Sequence, residues 1–187
     1  MLGARVACTD GECGRLHSLV VDPAHPRVTH LVVEPDLRIG LGRLVPVDLV
    51  ASAEDEVELT CDLAAFNSLP RAESTEVVPD LSAGYIFLHS TALPRTEVHE
   101  VLPEGEAGLQ TATRVVATDG QIGAVGGLLT AGDDHRVSSV FVSEARFPWG
   151  HKTVSLPVST VEAFDSDEVR LNLATAEVER LAVGAKS

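Results

Sequence analysis

The ten residues Arg5-Val6-Ala7-Cys8-Thr9-Asp10-Gly11-Glu12-Cys13-Gly14 return 109 positions later as Arg114-Val115-Val116-Ala117-Thr118-Asp119-Gly120-Gln121-Ile122-Gly123, with six of the ten identical. A repeat constrains the fold more than any other feature, because both copies must build the same supersecondary unit. The same offset carries Leu19 onto Leu128, Arg27 onto Arg136 and Val33 onto Val142. It then steps to 111, placing Pro46-Val47 on Pro157-Val158, and to 112, placing Val57 and Leu59 on Val169 and Leu171. The steps assign short insertions to loops. The chain therefore divides into a first module over 1–79, a connecting segment over 80–109 and a second module over 110–187.

Each copy contains five short apolar segments, near 4–9, 14–22, 28–34, 43–50 and 56–61 in the first. These are strand lengths. In the fifth, Val57, Leu59 and Cys61 alternate with Glu56, Glu58 and Thr60, and Val169, Leu171 and Leu173 repeat the pattern, so one face is wet and one buried. Leu31-Val32-Val33 and Val140-Phe141-Val142 are apolar on both faces, as expected of a central strand covered on each side. Tyr85-Ile86-Phe87-Leu88 reads as a further strand in the connecting segment.

Turn chemistry separates the segments. Asp10-Gly11 and Asp119-Gly120 stand between the first and second strands, where an Asp-Gly pair supplies the positive φ of a tight hairpin. A functional carboxylate pair is the competing reading of Asp10 and Asp119, but the turn accounts for both. Pro46 and Pro157 point to an edge position or a bulge, since proline donates no ladder hydrogen bond. After the fifth strand, Leu63–Ser68 and Ala174–Leu181 are expected as short helices, the second led by Thr175 as N-cap. Phe66, Leu69, Val178 and Leu181 would face the module. Five strands in so short a stretch cover their own core only by bending, so the expected fold is all-β: two tandem small β-barrels, each with a C-terminal helical turn, related by a pseudo-two-fold.

The pattern resembles the PRC-barrel family, which includes the cytoplasmic domain of the photosynthetic reaction-centre H subunit and the C-terminal domain of a ribosome maturation factor. The resemblance rests on Val6 through Gly14, Val21-Asp22-Pro23, Val28 through Val33 and Val45-Pro46-Val47 with Val50, and in the second copy on Pro103-Glu104-Gly105-Glu106, Arg114 through Gly123 and Leu156-Pro157-Val158-Ser159 with Val161. It covers all but residues 71–95 in the main. It implies a barrel adaptor without catalytic residues, in a family that mostly contacts proteins or RNA. Two departures stand out. No segment matches the membrane helix of the reaction-centre subunit, and the second copy has Thr130-Ala131-Gly132 where the first has an Asp-Pro turn.

Net charge is −14, from 14 basic and 28 acidic residues, and neither half is basic. This opposes nucleic acid and anionic membranes, which bind through clustered Lys and Arg. No apolar run is long enough to span a bilayer, and Asp10 and Glu12 interrupt any leader, so a cytoplasmic location without membrane insertion is expected. The three cysteines, Cys8, Cys13 and Cys61, are odd in number and read as reduced thiols. Cys8, Cys13 and His17 have a metal-like spacing. Their counterparts Ala117, Ile122 and Gly126 are non-ligands, as is Leu173 at the place of Cys61, which favours packing thiols. His89, His99, Glu97 and Glu100 are a weaker metal candidate in the connecting segment.

No nucleophile elbow or phosphate loop occurs, so no enzyme activity and no cofactor are expected. The loop Phe147-Pro148-Trp149-Gly150-His151, opposite Leu37-Arg38-Ile39 in the first copy, is the candidate interaction surface. Folding of Trp149 back over its own barrel mouth is the alternative. The functional expectation is a non-enzymatic docking or adaptor protein that binds a protein partner or self-associates as a homodimer. The alternative is a small-ligand or metal carrier with an electron-transfer association, using a barrel mouth or the seam between modules.

Overall fold

In the computed structural model the first repeat begins with a hairpin, β1 (Arg5–Cys8) and β2 (Gly11–Asp22), followed by β3 (Arg27–Glu34), β4 (Arg43–Pro46), β5 (Val50–Ala53), β6 (Val57–Leu59) and the helix α1 (Leu63–Ser68). The structure describes residues 2–35, 42–53, 56–78, 95–147 and 150–184. A two-stranded pair, β7 (Glu73–Val78) and β8 (Arg95–Glu100), then leads to β9 (Ala107–Gln110). The second repeat runs β10 (Arg114–Ala117), β11 (Gly120–Ala131), β12 (Arg136–Phe147), β13 (Gly150–Pro157), β14 (Val161–Phe164), β15 (Glu168–Leu171) and α2 (Thr175–Gly184). The protein is mostly β, a curled sheet of thirteen described strands with two short helices.

The pairing follows one plan in both repeats. Strand order is β4-β3-β2-β1-β6-β5 in the first and β13-β12-β11-β10-β15-β14 in the second, with β1–β6 and β10–β15 parallel and the other pairs antiparallel. Register shifts fall at matching places: Val6/Ala7 and Val115/Val116, Leu16/Ser18 and Val125/Gly127, Val20/Val21 and Leu129/Thr130, Val50/Ser52 and Val161/Ala163. Each inserts a residue on one strand and raises the local twist, which is what curls the sheet. At Gly14 the curl brings β2 so close to the end of β3 that a Cβ would lie 2.0 Å from the Glu34 carbonyl oxygen; the residue also has φ +147. Only glycine fits there.

Six strands form where five segments are expected. The run 43–50 is split by Pro46, after which Val47–Leu49 makes one turn of 3-10 helix before β5; Pro157 does the same ahead of Val158–Thr160. Both prolines close a strand, where their missing N–H costs no ladder bond.

The sixth strand keeps its predicted alternation: Val57, Leu59, Val169 and Leu171 are buried, and Glu58 and Arg170 are exposed. Burying each such side chain contributes about 1.5–3 kcal/mol. One apolar cluster runs through both repeats, from Val6, Leu31 and Val57 to Leu109, Val115, Val140 and Val169. The outer face of β3 is covered by a second, small cluster in which Val20 and Val32 pack with Ala72, Leu44 and Leu102. The expectation of two covered faces holds less well in the second repeat. Phe141, at the place of Val32, is half-buried, and Leu129, at the place of Val20, is 50% exposed. The covering residues Ala72 and Leu102 flank the β7–β8 pair and lie against the first repeat.

The connecting segment is woven into the sheet. β9 pairs with β2 from Ser18↔Gln110 to Val21↔Ala107, and the Thr29 hydroxyl donates to Glu106 Oε2 at 2.6 Å. The predicted strand Tyr85–Leu88 lies outside the described residues.

Candidate functional site

The two Asp-Gly turns hold their helices. In each hairpin the two linking residues are Thr9-Asp10 and Thr118-Asp119, and Gly11 and Gly120 already pair, with Cys8 and Ala117. The positive φ falls on Gly120 (+151) and on neither aspartate, so the turn is of the ordinary type with Gly at its last position, not the expected Asp-Gly centre. The carboxylates are therefore turned to the helices. Asp10 Oδ1 accepts from the Leu63 N–H at 2.8 Å, and Asp119 Oδ1 accepts from the Thr175 N–H at 2.8 Å and its hydroxyl at 2.7 Å. The amide and hydroxyl of Thr175 hold the Asp119 carboxyl below its usual range.

Thr175 thus stands inside the first turn of α2 rather than capping it. Its hydroxyl is spent on Asp119, while Glu177 reaches back to the Ala174 N–H at 2.9 Å, half of a capping box. In α1, Asp62 caps by accepting from the Ala65 N–H at 2.7 Å. Phe66 and Val178 are buried as expected, and Leu69 is half-buried. Leu181 is 41% exposed, contrary to expectation: α2 is ten residues long against six in α1, and Leu181 lies beyond the length the two helices share.

The cysteines pack. Cys8 and Cys13 are buried in the main cluster and Cys61 lies half-buried against it. Burial pushes the Cys8 thiol up, helped by its neighbours Cys13 and Cys61; burial likewise raises Cys13, whose Sγ donates to the Val6 carbonyl at 3.2 Å. Raised thiols are poor nucleophiles. His17 points instead to Glu34, 3.5 Å away. Among the described residues no group of three or more His, Cys, Asp or Glu is placed to hold a metal ion.

The candidate interaction loop is mostly strand. β12 ends at Phe147 and β13 begins at Gly150, with Phe147↔Gly150 and Arg146↔His151 paired. The side chains of Phe147 and His151, and all of Trp149, Leu37 and Ile39, lie outside the described residues. So does His89, and so do the side chains of Glu97, His99 and Glu100, whose backbone belongs to β8.

The structure brings together a different pair of loops. The β2–β3 turn of the first repeat and the β11–β12 turn of the second meet at a seam where Arg27 pairs with Arg136. The Val28 N–H donates to the His135 carbonyl at 3.0 Å and the Val137 N–H to the Pro26 carbonyl at 2.9 Å. Beside this junction is an open cleft of about 680 Å³ lined by His25, Arg27, Asp134, Arg136, Val137 and Val158. Its charges are largely matched: Asp22 lies 3.4 Å from the His25 ring and 3.8 Å from Arg27, and Arg136 lies 2.6 Å from Asp134. Partial burial pushes the Asp22 carboxyl up, but the His25 and Ala24 amides bring it below its usual range.

Missed by the sequence reading is His135, which lines the seam with φ +53, the one described non-glycine residue at positive φ, and whose Nε2 is 3.7 Å from Asp48 Oδ1. The signal was its alignment with Pro26, a place where the repeats differ. Among the described residues no helix is long and apolar enough to cross a membrane. Comparison with the models of known protein families and with curated proteins finds no match for this chain.

Proposed function

We propose that this chain is a non-enzymatic docking protein of the reducing cytoplasm, made of two tandem PRC-barrel-like modules over 1–79 and 110–187 that are related by a pseudo-two-fold at the seam. One observation carries the reading. Val28 donates to His135 and Val137 to Pro26, and the second bond is the first with each residue replaced by its repeat equivalent. Such reciprocity is the mark of an isologous contact. It joins the β2–β3 turn of the first repeat to the β11–β12 turn of the second.

The side chains common to both repeats support a structural rather than chemical role. Asp10 and Asp119 hold helix N-termini, and the shared Val and Leu positions form the core. The partner is a protein or another molecule of the chain, since a net charge of −14 opposes nucleic acid. Docking uses Phe147, Trp149 and His151, with Leu37 and Ile39 of the first module. Pull-downs from lysate together with light scattering test this: Trp149→Ala weakens an association that the native chain makes. A native chain that stays monomeric and captures nothing overturns the reading.

A further inference from the structure

Where the first repeat meets the second, the core is incompletely filled. A cavity of about 120 Å³ has Leu16, Leu19, Leu31 and Val57, all buried, as its floor. Val50 and Ala53 form its rim in the first repeat, and Leu128, Thr130 and His135 reach it from the second. The repeat explains why the space exists. Ala53 pairs with Val57 as Phe164 pairs with Val169, so the two residues hold the same place. Phe164 is 6% exposed and plugs its repeat; Ala53 is exposed and leaves the corresponding volume open.

An unfilled apolar space forfeits the dispersion contacts of every atom that lines it. Enclosed apolar cavities of about 150 Å³ take up benzene or xenon; this pocket is open on its Ala53 and Thr130 side, and its apolar floor and volume suit a single small ring. It differs from a plain packing defect at one wall. There His135 adopts φ +53, a backbone state that costs energy in a residue with a Cβ, and its imidazole stands beside Asp48; Thr130 is the other polar residue of the lining. The equivalent residue in the other repeat is Pro26, which has no such group to offer.

We propose that this cavity is a binding site for a monocyclic aromatic ligand carrying one hydroxyl, the ring seated on the leucines and valines and the hydroxyl bonded to His135. Because walls come from both repeats, the ligand braces the seam. The site does not depend on the docking reading, and either stands if the other fails.

Phenol and benzene serve as probes for the full-length chain, read by methyl NMR and thermal unfolding. Phenol shifts the methyl signals of Leu19, Val50 and Leu128 saturably and raises the thermal midpoint. Ala53→Phe, which installs the residue the second repeat already uses, abolishes both effects while the variant unfolds at or above the native midpoint. His135→Asn keeps a residue that tolerates positive φ and weakens phenol about fivefold, the worth of one hydrogen bond, leaving benzene unchanged. Xenon, which needs no variant, shifts the same methyls in the native chain. Absence of methyl shifts with both phenol and xenon overturns the proposal, as does an Ala53→Phe chain that binds phenol as tightly as the native one. Equal loss of phenol and benzene in His135→Asn overturns the role of the imidazole.

Discussion

Arg27 and Arg136, equivalent residues of the two repeats, face each other as backbone partners across the seam. They are flanked by the bonds Val28 to His135 and Val137 to Pro26. Both bonds close the same junction, so opening of the seam breaks both. The amides of Val28 and Val137 should therefore exchange with solvent at closely similar, strongly protected rates in native-state hydrogen exchange. An amide of the pair that exchanges far faster than its mate contradicts the coupling.

Asp119 ties the first hairpin of its repeat to the start of α2, a contact 56 residues long in sequence. Its carboxyl titrates lower in the folded protein than in the unfolded chain because the Thr175 amide and hydroxyl favour the charged form. The stabilisation is thus fully present above the unfolded carboxylate pKa and is lost as pH falls through the lower folded value. Asp119→Ala should lower the thermal midpoint at neutral pH, and the gap from the native chain should narrow in acid. A gap that does not change with pH would count against the contact as described.

At Gly14 there is no room for a side chain. Gly14→Ala forces its Cβ against the Glu34 carbonyl and asks an alanine to hold φ +147, at a cost of about 3 kcal/mol in urea unfolding. A loss under about 0.5 kcal/mol, the range of ordinary surface changes, would mean that β2 and β3 are farther apart there.

The helices offer an internal comparison. Phe66→Ala empties a buried site and should cost about 3–5 kcal/mol. Leu181→Ala, on the exposed side of the longer helix, should stay within about 0.5 kcal/mol. Denaturant midpoints of the two variants measure the contrast directly.

Ser18 is wholly buried on β2 with no hydrogen-bond partner for its hydroxyl. Ser18→Ala removes an unsatisfied group from the interior and should stabilise the chain by about 1 kcal/mol. Destabilisation instead would reveal a bond made by that hydroxyl.

Much of the fold was legible before any coordinates. The match of Arg5–Gly14 to Arg114–Gly123 foretold two hairpins of one design, and the alternation around Val57 and Val169 marked which side chains turn inward. Spacing misled where one residue overrides a periodic pattern. Pro46 and Pro157 split a run that read as continuous, and Leu181, beyond the length the two helices share, is exposed. The proposed interaction residues were legible only as unusual composition in a connection, which says nothing of what lies beside them.

Local chemistry, written in residue order, determined the elements: which segments pair into hairpins, where turns fall, and that both halves repeat one plan. Only the tertiary structure decided what those elements meet. The closure of each Asp onto a helix more than fifty residues away, the seam at Arg27 and Arg136, and the space left by Ala53 where Phe164 fills its counterpart all depend on how far the sheet curls. That curl comes from bulges, whose extra residues leave almost no trace in a pattern of period two.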